Sequence, residues 1–440
     1  MTALAAEALH IGAAPRLRGE LSVPGDKSLS HRALLFNALA AGEARIQGLG
    51  SGNDVRSTRR CLGALGVQIV DADDGSVLVR GVGGRGLREP ATILDCGNSG
   101  TTMRLLLGML AGQDGRFAVL DGDDSLRRRP MARVLQPLVA MGATGLGRHG
   151  NSLAPLAIRG ARLRGIHHRS PVASAQLKSA VLLAGLRAEG TTTLTEPSVS
   201  RDHTERLLAA MGVTLRIEGA SVSLDGTDAD LIPASMRVPG DFSSAAFWLV
   251  LACVHPDAEI LVRGVGTNPT RTGLLDVLRE MGARIELLNE RLEGGEPVAD
   301  LLARSSELRG TEVSGPILPR LIDEVPILAV AAGFAQGETS IRDAEELRHK
   351  ESDRLSTTAA TLSLLGADVT EEEDGLTIRG GPPLRAAHCE SYGDHRLAMA
   401  VAVAAAAGDG ATLADSAAAS VSYPSFWDDL RTLGVEVQQR

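Results

Sequence analysis

The chain has 440 residues, 44% apolar and 2% aromatic, with 45 basic and 54 acidic side chains for a formal charge of −9. That length exceeds one ordinary core and supplies two compact domains, with Ala, Val, Leu and Gly building small, closely packed layers of repeated α/β units. The acidic balance leaves no global positive field to hold nucleic acid or an anionic membrane, so anion binding must be local.

Met1 to Arg18 carries Glu7 early and lacks a basic start followed by an apolar core, so it does not read as a secretory signal. The turn Gly25-Asp26-Lys27-Ser28 then feeds an apolar helix, and Leu65-Gly66-Val67 ends another, with Val67 to Val70 branched like a strand. Between them, Gly48-Leu49-Gly50-Ser51-Gly52 is glycine-rich but lacks a nucleotide-loop pattern and reads as a plain loop. The pairing of polar helix start and terminal glycine recurs: Gly97-Asn98-Ser99-Gly100-Thr101 with Met141-Gly142-Ala143, and Ala173-Ser174-Ala175-Gln176 with Met211-Gly212-Val213. Three more follow: Gly240-Asp241-Phe242-Ser243 with Met281-Gly282-Ala283, Ile322-Asp323-Glu324 with Leu365-Gly366-Ala367, and Gly393-Asp394-His395-Arg396 with Leu433-Gly434-Val435.

Glycine in these signatures fits the left-handed position that ends a helix, and the residues after it (Thr214 to Ile217, Arg284 to Leu287, Asp368 to Thr370) read as strands. The glycines lie 68 to 84 residues apart (434−366, 366−282), which suits a unit of two helices and several strands, six in all. Val-Pro-Gly-Asp occurs at Val23 to Asp26 and again at Val238 to Asp241, opening the first and fourth units. It marks two three-unit domains, 26–239 and 1–25 plus 240–440, with either a hinge or a plain repeat turn at the boundary. If all units face the same way, six polar helix starts converge on the cleft between the domains, each offering amides and a positive dipole end to an anion.

The longest apolar run, Leu397 to Gly408, is too short to span a membrane. The four cysteines, Cys61, Cys96, Cys253 and Cys389, form no Cys-x-x-Cys pair, which argues against a disulfide framework or structural zinc and points to a reducing cytosol. No motif supports a nucleotide, metal or other cofactor.

Only three of the 45 basic residues are lysine, and each lies in a dense polar cluster: Lys27 in Gly25 to Arg32, Lys178 in Ala173 to Lys178, and Lys350 in Arg348 to Arg354. Positions that keep a compact ammonium in an arginine-rich chain are candidates for point-charge contact with phosphate or for proton transfer; for Lys178 a leftover surface lysine remains an equal reading. Lys27, Arg32, Arg104, Arg129, Arg201, Lys350, Arg354 and Arg396 together imply a substrate with several negative charges, with backbone amides at Ser28, Gly100 and Ser174 to Gln176 taking further oxygens. Asp121 to Pro130 reads as a loop preceding a helix from Met131; its Arg127-Arg128-Arg129 run suggests an anion clamp, although Arg127 and Arg128 taken singly read as surface charge. Two acids stand out against this positive background, Asp323 and Glu351 beside Lys350. A carboxylate among cations stays ionised and can accept a proton from a bound hydroxyl, making Asp323 the general-base candidate.

Together these motifs resemble those of the 5-enolpyruvylshikimate-3-phosphate synthase family, in order along nearly the whole chain: Pro24-Gly25-Asp26-Lys27-Ser28 with Arg32, Gly97 to Arg104, Arg129-Pro130-Met131, Ser174-Ala175-Gln176, Ile322-Asp323-Glu324, Lys350 to Arg354 and Gly393 to Arg396. The resemblance implies an α/β fold of two lobes, six repeated units, three per domain, each an inside-out α/β barrel. It implies transfer of the enolpyruvyl group of phosphoenolpyruvate to the 5-hydroxyl of shikimate 3-phosphate with release of phosphate, in the shikimate pathway leading to aromatic amino acids. A cytoplasmic monomer without metal or cofactor is expected, with shikimate 3-phosphate on the 26–239 side and phosphoenolpyruvate on the other.

By the same resemblance Ser28 and Arg32 hold the shikimate carboxylate, and Ser174, Ala175 and Gln176, with Ser200 or Arg201, hold the 3-phosphate. Lys27, Asn98, Gly100, Arg129 and Gln176 meet the phosphoenolpyruvate phosphate, and Arg354 and Arg396 its carboxylate. Asp323 orients and deprotonates the hydroxyl, Lys27 and Glu351 manage the proton on the methylene, and Lys350 supplies charge beside both substrates.

Three departures place the chain nearer the family's bacterial second class. Val421 stands where some members carry a lysine, Leu105 where the plant-like branch has proline, and Ser200-Arg201-Asp202-His203 where that branch has Ser-Lys-Pro-Tyr. Naturally glyphosate-tolerant members of that class have alanine at the place of Gly100, so sensitivity to glyphosate is expected. The alternative within the fold is the enolpyruvyl transferase acting on UDP-N-acetylglucosamine. It typically uses a loop cysteine that Asp121 to Pro130 lacks, and its first-unit Lys-Asn is Lys27-Ser28 in this chain. A non-catalytic anion-binding scaffold also explains clustered arginines, but it leaves Asp323 and Glu351 without a role and offers few aromatics for base stacking.

Overall fold

Residues 8–439 of the chain are described by the structure, a computed structural model. Residues 1–7 of the N-terminal stretch that does not read as a secretory signal, and residues 1–7 and 440 of the second expected domain, lie outside the described residues. The chain forms two compact units. The inner unit comprises Gly25–Val238 with Leu292–Glu296; the split unit comprises the chain up to Pro24, Pro239–Arg291 and the residues from Pro297 onward.

Each unit is assembled from three copies of one module. A buried helix opens the module, a strand and a second helix follow it, and a four-stranded sheet covers the helices with its strands joined parallel, antiparallel and antiparallel in spatial order. In the inner unit, Leu94–Asp95 lies parallel to Phe117–Asp121, which pairs antiparallel with Leu153–Arg159, which pairs antiparallel with Thr144–Gly147. The same order recurs in the sheets built on Ala41–Gln47 and Thr191–Thr195, and in the split unit in that built on Gly337–Ile341.

Two module sheets of the split unit take a strand from the N-terminal segment. Leu17–Ser22 runs parallel to Ala258–Gly266, and Leu9–Ile11 lies between Ala411–Ala414 and Val437–Gln439. The inner unit closes comparably, because Met236–Arg237, at its far end, pairs parallel with Ala41–Gln47.

The helices are inside and the sheets outside. All twelve residues of Gly100–Ala111 are buried, as are twelve of Phe242–Val254, whereas strands such as Phe117–Asp121 alternate between buried and more open positions. A uniformly apolar helix needs burial on every face, and an alternating strand needs it on one, so this layering follows from the two sequence patterns. Each unit has its own hydrophobic core.

The six signature glycines have φ values of 92, 118, 89, 98, 88 and 98° at Gly66, Gly142, Gly212, Gly282, Gly366 and Gly434. A side chain there would be strained, which is why each second helix stops at its glycine and a strand follows two or three residues later. Side-chain caps fix the starts of five opening helices, from Asp26, Ser99, Ser174, Asp241 and Asp394; the helix Val325–Phe334 instead has Pro326 in its first turn. The segment Asp121 to Pro130 is not wholly loop. Its Leu126–Arg128 forms a 3-10 turn, and the following helix begins at Ala132 instead of Met131. Among the described residues no helix is long and apolar enough to cross a membrane, and the four cysteines are buried free thiols.

Candidate active site

In the inner unit, Asp26 caps the first helix by accepting the Leu29 amide at 2.8 Å and thereby presents Lys27 in the first turn. The Lys27 ammonium pairs with Asp54 at 3.2 Å. Asp54 opens the next helix in Asn53–Ala64 and carried no sequence signal beyond that start. Behind Lys27, fully buried His31 meets Thr58 at 2.7 Å, Thr58 meets Thr102 at 2.7 Å, and Thr102 meets Ser99 at 2.8 Å. This chain ties the first helix to the cap that precedes Gly100. Burial drives the imidazole down to about 3, with Asp54 opposing and Lys27 and Arg32 reinforcing, so His31 is neutral at ordinary pH.

Gly100 stands at the start of its helix within a set of cations. A Cβ built on it would lie 3.3 Å from Arg129 Nη1 and 3.4 Å from Arg104 Nη1. Arg104 also donates to the Gln176 side-chain oxygen and, at 3.3 Å, to the Pro130 carbonyl, while Gln176 Nε2 donates to Thr101 at 2.9 Å. Asn98 sits in the turn just ahead of the Ser99 cap. The structure therefore brings Gly100, Arg104 and Arg129 of one module together with Gln176 of the next. Arg127 instead pairs with Asp121 at 2.7 Å and Asp124 at 3.3 Å, which matches its reading as surface charge.

Arg32 is placed differently from a freely offered anion clamp. It is 2% exposed and donates to Thr204 at 2.8 Å, Ser28 O at 3.0 Å, Ser179 at 2.8 Å and Ala175 O at 3.4 Å. Burial lowers it to about 10, with Glu205 and Asp26 opposing, which still leaves it charged at neutral pH. Ser174 and Ser200 also differ from a purely ligand-facing role. The Ser174 amide donates to Glu196 at 2.7 Å, so it is not spare for a substrate oxygen, and the Ser200 hydroxyl donates to the same carboxylate at 2.7 Å. Lys178 is no surface lysine: it is 1% exposed and paired with Glu196 and Glu205.

In the split unit the centre is Asp323, on a 3-10 turn leading into the helix Val325–Phe334. Its carboxylate lies 3.5 Å from Arg354, 3.7 Å from Lys350 and 3.9 Å from Arg396. Arg354 is held by Asp394 at 2.7 Å and Glu351 at 2.7 Å. Burial works against its charge, but Asp394, Glu351 and Asp323 outweigh it and hold the guanidinium above its ordinary value. In turn Arg354 holds buried Asp394 below the usual carboxylate range against desolvation. Glu351 thus pairs with the arginine one turn on, while Lys350 pairs with Glu346 at 3.2 Å.

Arg271 and Glu324 were not singled out from sequence. Arg271 donates to Glu324 at 2.9 Å and Asp241 at 2.9 Å, and Glu324, fully buried, also accepts from Ser243 and faces Arg396 at 3.6 Å. With Glu324, Glu346, Asp394 and Asp241 beside Asp323 and Glu351, the positive background read from sequence is matched here by as many carboxylates as cations or more. The cations are held at fixed positions by those pairs, which costs little reorganisation when charge develops on a substrate. Among the described residues no group of three His, Cys, Asp or Glu side chains is arranged to hold a metal ion.

These features define a fold shared with solved structures. Over 99% of each chain it matches the enolpyruvyl transferase NikO from Streptomyces tendae, with a TM-score of 0.80 at 19% identity, a likeness of fold alone. An EPSP synthase from Acinetobacter baumannii matches with a TM-score of 0.86 at 41% identity, covering 98% of this chain and 100% of that one. The chain belongs to the EPSP synthase (3-phosphoshikimate 1-carboxyvinyltransferase) family, whose model matches residues 11–430. Relatives named 3-phosphoshikimate 1-carboxyvinyltransferase include those of Synechococcus sp. (strain JA-3-3Ab), 54% identical over 98% of each chain, and Roseiflexus castenholzii, 55% identical over 97% of this chain and 99% of that one.

Proposed function

We propose that the chain transfers the enolpyruvyl group of phosphoenolpyruvate to the 5-hydroxyl of shikimate 3-phosphate and releases inorganic phosphate. The observation that carries this reading is Asp323, a carboxylate within 4 Å of Lys350, Arg354 and Arg396, which supports a proton acceptor working among groups suited to anions. Residues 26–239 form the shikimate 3-phosphate side, and residues 1–25 with 240–440 the phosphoenolpyruvate side.

Ser28 takes the shikimate carboxylate with the charge of Arg32 behind it. Ser174, Ala175 and Gln176 take the 3-phosphate together with Arg201, and Ser200 sets the position of that loop. Lys27, Asn98, Gly100, Arg129 and Gln176 meet the phosphate of phosphoenolpyruvate, and Arg354 and Arg396 meet its carboxylate. The vinyl carbon gains a proton whose transfer Lys27 and Glu351 manage, the adjacent carbon becomes cation-like, and the hydroxyl oxygen attacks it while Asp323 takes the hydroxyl proton. The tetrahedral adduct then loses phosphate as a methyl proton leaves, restoring the double bond. Lys350 offsets charge near both substrates. The protein works as a cytoplasmic monomer in this reading.

The test is phosphate release by the purified protein with shikimate 3-phosphate and phosphoenolpyruvate, each omitted in turn. Release that requires both supports the reading. Release only when UDP-N-acetylglucosamine replaces the shikimate moves the acceptor, and none with either acceptor overturns the enzyme reading.

A further inference from the structure

Lys178 is the one lysine the proposed reaction does not use, and it lies at the centre of a closed buried cluster. Its ammonium reaches Glu205 at 2.7 Å, Glu196 at 3.1 Å and the Ser200 carbonyl at 3.3 Å, which accounts for its three hydrogens. The side chains of Lys178, Glu196 and Glu205 are at most 5% exposed. No donor therefore remains on Lys178 for a substrate.

Glu196 is bonded on both oxygens. One accepts the Ser174 amide at 2.7 Å; the other accepts the Ser200 hydroxyl at 2.7 Å and the Ser200 amide at 3.4 Å. A single carboxylate thus joins the start of the helix Ala175–Gly185 to the loop that carries Ser200 and Arg201. The two segments are separate in sequence, and each holds residues assigned above to the 3-phosphate. The neighbouring bonds tighten the same joint: Ser179 meets Thr204 at 2.6 Å, and Arg32 donates to both.

A bare carboxylate behind a phosphate site would repel the dianion and would be costly to bury. For Glu196 Lys178 removes both objections, since a buried charge is tolerated when it is paired and hydrogen-bonded and Glu196 is bonded on both oxygens; burial raises the pKa of the second carboxylate, Glu205, against the pull of the same ammonium. We propose that Glu196, neutralised by Lys178, is the positioning residue that sets the spacing between Ser174 and the Ser200–Arg201 loop and so fixes the geometry of the 3-phosphate site. The inference rests on the function proposed above, and it adds a residue that touches neither substrate.

The experiment is steady-state kinetics on Glu196→Gln with each substrate varied, alongside its thermal unfolding. Glutamine keeps the size but turns one acceptor oxygen into a donor that faces the Ser200 hydroxyl and Lys178. The expected result is a KM for shikimate 3-phosphate raised roughly 30-fold, as for loss of charge-assisted bonds, with the KM for phosphoenolpyruvate within about twofold. A merely structural role would lower the active fraction and the unfolding midpoint while leaving both KM values alone, and that outcome overturns the proposal. If Glu196→Gln does not fold, Glu196→Asp keeps the charge while withdrawing the carboxylate from both serines, and the KM for shikimate 3-phosphate rises about 5- to 10-fold by the same reasoning. An unchanged KM in Glu196→Asp overturns the proposal as well. A wild-type protein that releases no phosphate from the two substrates fails the parent reading instead, and the two failures are told apart by that first measurement.

Discussion

Replacing Asp323 with Asn tests the proposed chemistry most directly, because the structure predicts that turnover and binding separate. The side chain is 18% exposed and lies 3.5 to 3.9 Å from three cations. Its loss leaves Arg354 still paired with Asp394 and Glu351 at 2.7 Å, so the buried guanidinium is not stranded. Folding stability should fall by only about 1 kcal/mol or less, the range for partly exposed pairs. Removing one negative charge beside Lys350 and Arg396 should leave the KM for phosphoenolpyruvate within about threefold of wild type, or lower it. Asparagine accepts no proton at neutral pH, so turnover should drop about 10²-fold or more, close to 3 kcal/mol of barrier. Phosphate release under saturating substrates gives the turnover, and calorimetric titration with phosphoenolpyruvate gives the binding. Turnover within threefold of wild type would refute the base assignment, and weak binding with turnover otherwise preserved would show that Asp323 only organises the cations.

Gly100→Ala sets a methyl 3.3 and 3.4 Å from the Arg129 and Arg104 guanidiniums, which must give way by a few tenths of an ångström. The expected result is a several-fold rise in the KM for phosphoenolpyruvate and a larger rise in the glyphosate concentration needed for inhibition, read from inhibition curves at fixed phosphoenolpyruvate. Arg271→Met leaves Glu324 buried without its closest cation and should cost about 3–5 kcal/mol in denaturant unfolding. For His31 the folded value near 3 lies below the unfolded value of 6.5, so its neutral state supports folding fully above pH 6.5 and that support is lost as pH falls toward 3. Between pH 7.5 and 5 the loss is about 2 kcal/mol, and His31→Gln should remove that difference from the urea unfolding curves.

Much of the fold was legible because it depends on local rules repeated six times. A glycine that must adopt positive φ ends each second helix, and a polar capping residue begins five of the opening ones, so both marks survive in the bare sequence. The sheet order was not legible, since the strand that completes a module comes from far along the chain, as Met236–Arg237 does for Ala41–Gln47. The site divides in the same way. Lys27, Asp323, Arg354 and Arg396 stand at helix starts and could be read from their positions. Their partners could not: Asp54, Glu196, Arg271 and Glu324 are ordinary acids and arginines in sequence, and only folding brings Arg271 to Glu324 or Lys178 to Glu196. Arg32 shows the converse ambiguity of residue type, since a guanidinium suited to holding a carboxylate also serves to bond four groups of its own protein.

The short strand Leu9–Ile11 has a consequence for how the protein is made. Its neighbours are Ala411–Ala414 on one side and Val437–Gln439 on the other, so Leu9 pairs with Leu413, among the most distant contacts the chain allows. Closing so long a loop is slow relative to local pairing. During synthesis the inner unit has all of its main segment once Val238 has emerged, whereas Leu9–Ile11 must stay unpaired until the ribosome reaches the last module. The segment that emerges first is thus among the last to find its place, and a chain released early would leave both edges of that strand bare and open to pairing with another copy.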